Sequence, residues 1–204
     1  PAEWFVFDGA GTITAFNWAE GRENVVIPWE IGGVPVTTIG ANAFRNLVTY
    51  QGHPVVSVVA PQTVTAIGGY AFCNCYSLTS VIIPQATSIG DSAFYNCTLL
   101  PSVSLPQATS IGDRAFAACN SLTSVIIPQA TSIGDYAFYY CDTLTSINLP
   151  QATTIGDGAF ADCDTLTSVS LPQATSIGDF AFAYCDTLTS VTIPQATSIG
   201  DYAF

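Results

Sequence analysis

Lysine is absent from this 204-residue chain, and three basic residues, Arg22, Arg45 and Arg114, stand against 15 acids. The net charge of −12 at pH 7 repels phosphate backbones and anionic lipid, which argues against nucleic-acid binding and against membrane attachment through a basic patch. Charged residues make up only 9% of the chain. Even so, no uninterrupted apolar run approaches the roughly 18 residues of a membrane span, so membrane insertion is not expected. Histidine occurs once, as His53 in the irregular segment "YQGHP". No serine or cysteine nucleophile signature stands beside it, and a surface-loop residue is expected there rather than a base working at neutral pH. Neither a P-loop nor a G-x-G-x-x-G stretch is present to cradle a phosphate or dinucleotide. The expectation is a non-catalytic chain with no cofactor and no metal. It opens at Pro1 without an initiator methionine or an apolar leader, which reads as either a processed product or a cut segment.

What is present is repetition. The phrase "IPQATSIGDYAF" stands at 127–138 and again at 193–204. Phenylalanine recurs every 22 residues from Phe72 through Phe94, Phe116 and onward to Phe204, and proline does so from Pro84 to Pro194. Self-similarity at such a period marks a solenoid. In each unit, "LTSVxIP" is short and β-branched and is closed by proline, which reads as a strand and its stop. "QATSIG" reads as a second extended piece whose glycine can turn the chain. "DxAFxxC" places an aspartate as a helix N-cap before about one helical turn.

Each unit turns about eight side chains inward, in one case Leu122, Val125, Ile127, Ala130, Ile133, Ala137, Phe138 and Cys141. Burial of eight side chains does not offset the entropy of ordering 22 residues, so the units must stack and share their faces. The expected fold is an α/β repeat solenoid of parallel strands and short helical turns. The N-terminal "EWFVFDGAGTITAF" alternates around glycines and reads as a β-hairpin. A cap over 1–30 and a solenoid over 31–204, forming one continuous domain, are therefore expected. Spacing is irregular near the start: 12 residues separate Pro28 from Gly40, and 28 separate Phe44 from Phe72, with the extra length around "VTYQGHP".

The string "ENVVIPWEIGGVPVTTIGANAF", followed by copies of "LTSVxIPxATSIGDxAFxxC", resembles the BspA-like leucine-rich repeat family over essentially all of the chain. Departures are small: the units are 22 residues long, and Ala86, Ala108 and their equivalents stand where the family often has a larger aliphatic. The resemblance implies a right-handed leucine-rich-repeat coil on a cell surface or secreted. It further implies adhesion, including to host matrix proteins, no enzymatic activity and no fixed ligand residues.

Several columns invite chemistry. Cys75, Cys97, Cys119, Cys141, Cys163 and Cys185, with Cys73 beside them, would point alike into the core as buried thiols; disulfides between coils and a metal site are the alternatives. Asp91, Asp113, Asp135, Asp157, Asp179 and Asp201 form one column, expected as N-caps. Asp142, Asp164 and Asp186 form another, expected as solvated turns or weak calcium sites. Six equivalent carboxylates do not make the single asymmetric pair a glycosidase needs. The threonine column from Thr87 to Thr197 suggests ice binding, without the flat Thr-x-Thr array that reading needs. Three positions vary freely: the one after Asp and the two between Phe and Cys. They hold Tyr95, Tyr136, Tyr139, Tyr140, Phe180, Tyr184 and Tyr202, candidate ligand-binding residues if they share a face; the alternative is that they cover the short helices. Protein or glycan ligands are the expected partners. Another reading is a structural protein whose coils stack between chains into filaments. Phe204 falls mid-unit, which would leave an open C-terminal coil for such self-association.

Overall fold

The computed structural model describes residues 2–17, 23–47 and 54–204. His53, Arg22 and most of the "VTYQGHP" excursion lie outside the described residues. The chain is a β-solenoid in which each 22-residue phrase makes one coil. The "TSI" half of the phrase supplies a two-residue strand, and successive strands lie parallel and in register, Ser88 beside Ser110 and Ile89 beside Ile111. Stacked this way, they build a ten-stranded sheet from the N-terminal hairpin to Ser198–Ile199. Alternation sets the faces: the isoleucines from Ile13 to Ile177 point inward and are buried.

"LTSVxI" supplies the second strand. These strands form three shorter parallel sheets rather than one: Asn24–Val26 with Ser57–Val59 and Ser80–Ile82, Ser102–Ser104 with Ser124–Ile126, and Ser146–Asn148 with Ser168–Ser170 and Ser190–Thr192. The first break has a cause in the sequence. Within each of these sheets the residue before the strand donates its amide to the preceding coil, as Thr79 does to Val56 at 2.8 Å and Thr167 to Thr145 at 2.9 Å. Pro101 occupies that place before Ser102–Ser104 and has no N–H to give.

The N-terminal hairpin forms as expected, Phe5–Phe7 pairing antiparallel with Thr12–Phe16. Asp8 Oδ1 accepts the amides of Ala10 at 2.7 Å and Thr12 at 2.9 Å across the turn. Thr12–Phe16 then pairs parallel with Thr38–Ile39, so the hairpin extends the long sheet. The long spacing between Pro28 and Gly40 is a second hairpin, Glu30–Ile31 against Val34–Pro35, turned by Gly32 and Gly33 at φ 62° and 83°.

One column of phenylalanines runs from Phe16 to Phe204, buried as far as Phe182. Ring centroids from Phe44 to Phe204 are 5.0–5.4 Å apart, and the rings lie within 17° of parallel. Of the eight inward positions named above, seven are buried and Val125 is half-buried against them. The thiols are free. Each Sγ of the column donates to the phenylalanine carbonyl of the coil before, Cys97 to Phe72 and Cys141 to Phe116 among them, at 3.0–3.3 Å.

The "DxAFxxC" segment is not a helical turn. Among the described residues the only helix is the 3₁₀ turn Ala2–Trp4, so the α component of the expected α/β solenoid is replaced by turns. The reason is competition for amides. An α-helical turn bonds its amides to its own carbonyls, whereas here Tyr136 donates to Asp157, Phe138 to Ala159 and Tyr140 to Ala161, all in the next coil, at 2.8–3.0 Å. Aiming those amides outward puts the residue after Asp and the second residue after Phe in the left-handed region, with φ of 54–61° in every coil from Asn42 onward.

The aspartates change role accordingly. No helix exists for them to cap; from Asp91 to Asp179 each Oδ1 accepts the amide of the next coil's aspartate, Asp135 from Asp157 at 2.9 Å and Asp113 from Asp135 at 2.9 Å. The glycine before each aspartate is needed for close approach. A Cβ on Gly134 would lie 2.7 Å from both the Asp113 amide nitrogen and the Gly112 carbonyl carbon, a separation atoms do not tolerate.

Candidate binding face

The turn segments line one long face with three columns of variable residues. Two of the columns sit at positive φ, where asparagine and glycine are at ease and aromatic residues are uncommon. Asparagines do occupy part of one column and form a short ladder: Asn74 Nδ2 donates to Asn46 Oδ1 at 2.9 Å, and Asn96 Nδ2 to Asn74 Oδ1 at 3.1 Å. Tyr136, Tyr140, Phe180, Tyr184 and Tyr202 nonetheless stand at φ between 54° and 61°.

The seven candidate residues form two groups on this face. Tyr136 and Tyr139 meet edge to face at 5.8 Å, and Tyr139 lies 5.7 Å from Tyr140. Tyr95, half-buried, joins Tyr139 along the same cleft. Further along, Phe180 and Tyr202 stack at 5.3 Å, and both line a shallow hollow with Tyr184. Tyr184 and Tyr202 are the most open, at 70% and 75% exposure. The coil carrying Gly158, Ala161 and Asp162 separates the groups and contributes no aromatic ring. The Tyr136 ring lies over Gly158, in the space a Cβ there would occupy. Desolvation first, then the Asp162 charge, raises the Tyr139 hydroxyl above its usual range. Asp162 is itself raised by desolvation and by Asp164, Asp142 and Asp186.

Tyr70, Arg45 and Arg114 were not singled out by sequence, yet they share this face. Arg45 lies over the Tyr70 ring at 5.2 Å and Arg114 over Tyr136 at 5.1 Å. Tyr70 holds the column position of Tyr136, and the repeat register alone could have found it.

Other columns carry structure. The threonine hydroxyls from Thr87 to Thr197 each donate to the threonine carbonyl of the coil before at 3.1–3.3 Å, so their donors face inward along the stack rather than toward ice. Asp142 Oδ2 accepts from Asn120 Nδ2 at 2.8 Å. Among the described residues no group of three or more histidine, cysteine, aspartate or glutamate side chains could hold a metal ion, and no helix is long and apolar enough to cross a membrane.

Comparison with known proteins gives the same architecture. The model for the BspA type leucine rich repeat region matches residues 14–130 and 87–204. The chain belongs to the BspA-type leucine-rich-repeat family. A leucine-rich repeat protein of T. pallidum is similar to it at 27% identity and TM-score 0.68, the alignment covering 98% of this chain and 85% of that one. Another from Bacteroides ovatus shares the fold at 21% identity and TM-score 0.52, over 98% and 77%. The pneumococcal vaccine antigen PcpA does so at 16% identity and TM-score 0.55, over 94% and 67%. No curated protein sequence matches. In this BspA-type chain, then, the core columns carry the repeat and the turn face carries the aromatic differences between its coils.

Proposed function

We propose that this chain is a non-catalytic recognition module, displayed on a cell surface or secreted, that binds a protein partner across its turn face. The observation behind this reading is the set of exposed aromatics at positive φ. Residues there gain nothing from local conformation, and their side chains add little to the core, so their value lies in what they touch. Tyrosine, asparagine, serine and arginine recur on the face, the residue types that make paratopes adhesive, because tyrosine supplies contact area at low entropy cost. Family membership supports recognition over catalysis, and adhesion to matrix proteins or to glycans is the form it would take.

The repeat itself supplies the control. Ser92, Ala117 and Ala118 stand at the equivalents of Tyr136, Tyr139 and Tyr140, and Ser92 and Ala118 have the same positive φ. A Tyr136→Ser/Tyr139→Ala/Tyr140→Ala variant should fold with a nearly unchanged melting temperature. Screened on immobilised matrix proteins and glycans, it should lose at least about tenfold in capture, the effect of one anchor worth about 1.4 kcal/mol. Equal capture by parent and variant would return these tyrosines to a covering role.

A further inference from the structure

Four successive coils of the turn face line a cleft of about 440 Å³ with Arg45, Tyr70, Asn74, Ser92, Tyr95 and Arg114, and Tyr139 of the next coil joins them. On a chain with 15 acids and three bases, two of the bases face this one cleft, and among the described residues no carboxylate lines it. Among the described residues neither arginine has a carboxylate partner. Arg45 Nη1 donates at 3.0 Å to Asn42 Oδ1, a neutral acceptor, and the rings of Tyr70 and Tyr136 hold the two guanidinium groups without neutralising them. The neighbouring aspartates direct an Oδ1 to the backbone of the next coil, Asp91 to the Asp113 amide at 3.0 Å. Most of the five donors on each guanidinium therefore remain open.

Two oriented, unpaired guanidinium groups are a receptor for carboxylates, which they can grip with a planar fork. They sit three coils apart, about 15 Å at roughly 5 Å per coil. The negative field of the whole chain repels a densely charged polyanion and leaves isolated carboxylates as acceptable ligands. The tyrosine, asparagine and serine lining suits a polypeptide. We propose that this cleft binds an extended acidic segment of the partner protein, with one carboxylate on Arg45 and another on Arg114. This rests on the recognition reading above and names the chemistry its partner presents.

The full chain is titrated by calorimetry, at low and at physiological salt, with a blocked octapeptide alternating glutamate and alanine. Its glutamine counterpart and trigalacturonate serve as the comparison arms. The glutamate peptide should bind and weaken with salt, the glutamine peptide should bind at least tenfold more weakly, and Arg45→Gln/Arg114→Gln should lose at least tenfold with an unchanged melting temperature. The proposal is overturned if the glutamate peptide fails to bind at about 1 mM, if glutamine serves equally, if trigalacturonate is preferred, or if the arginine variant binds like the parent. A matrix protein captured by the arginine variant but lost by the tyrosine variant would defeat the acidic segment and leave the recognition face standing.

Discussion

Cysteine here works as a small apolar group with one directed donor. Burial pushes the thiols of Cys75 and Cys119 up to about 12 from 9.0, and those of Cys97 and Cys141 well above 9.0, with desolvation the first cause in each. The folded chain therefore holds these protons after the unfolded chain has released them. Stability from this source is complete below about pH 9 and is lost as pH rises toward 12, by about 1.4 kcal/mol per pH unit for each buried thiol. Urea midpoints should be flat from pH 7 to 8.5 and then fall. In Cys119→Ala/Cys141→Ala the alkaline fall should be shallower, whatever the lower starting stability; parallel falls in parent and variant would show that these thiols do not set it.

At the scale of the element, the turn segment depends on the close approach of one coil to the next. Gly134 illustrates it: a Cβ there meets backbone of Asp113 and Gly112, which cannot move without breaking its own ladder. Gly134→Ala should therefore lower stability by about 1–3 kcal/mol or more, the range for overpacking a tight site. Gly158→Asn makes the contrasting case. Its backbone at φ 57° suits asparagine, and the obstacle is the Tyr136 ring, a side chain able to swing away. Thermal melts of the two variants should differ clearly, with Gly134→Ala the lower; the reverse order would mean that the glycine column is not fixed by contact between coils.

At the scale of the whole molecule, each coil is stabilised by the coils above and below, and the phenylalanine stack is one of the connections that runs unbroken along the array. Phe138 is fully buried between Phe116 and Phe160, with centroids at 5.3 and 5.2 Å. Phe138→Ala should cost about 3–5 kcal/mol. Because nearest neighbours carry the stability of a repeat array, the loss should spread to adjacent coils. Amide exchange should accelerate at Phe116 and Phe160 as well as around the substitution, and a melt within a degree or two of the parent would show the column to be dispensable.

The period, the strand-forming phrases, the inward columns and the hairpin near the start were all legible in the sequence, because they follow from side-chain alternation and from a unit that cannot bury its own apolar face. The repeat register also placed the variable residues in common columns. The conformation of "DxAFxxC" was not legible: a lone segment of that composition reads as a capped helical turn, and only the carbonyls of the next coil draw its amides outward. The aspartates follow the same logic, since the amide each one accepts lies 22 residues ahead. The gap in the aromatic face at Gly158 and the convergence of Arg45 and Arg114 on one cleft likewise belong to the stacked molecule. Counted along the chain, those arginines are two scattered charges; wound into coils about 5 Å apart, they become neighbours across an uncharged lining.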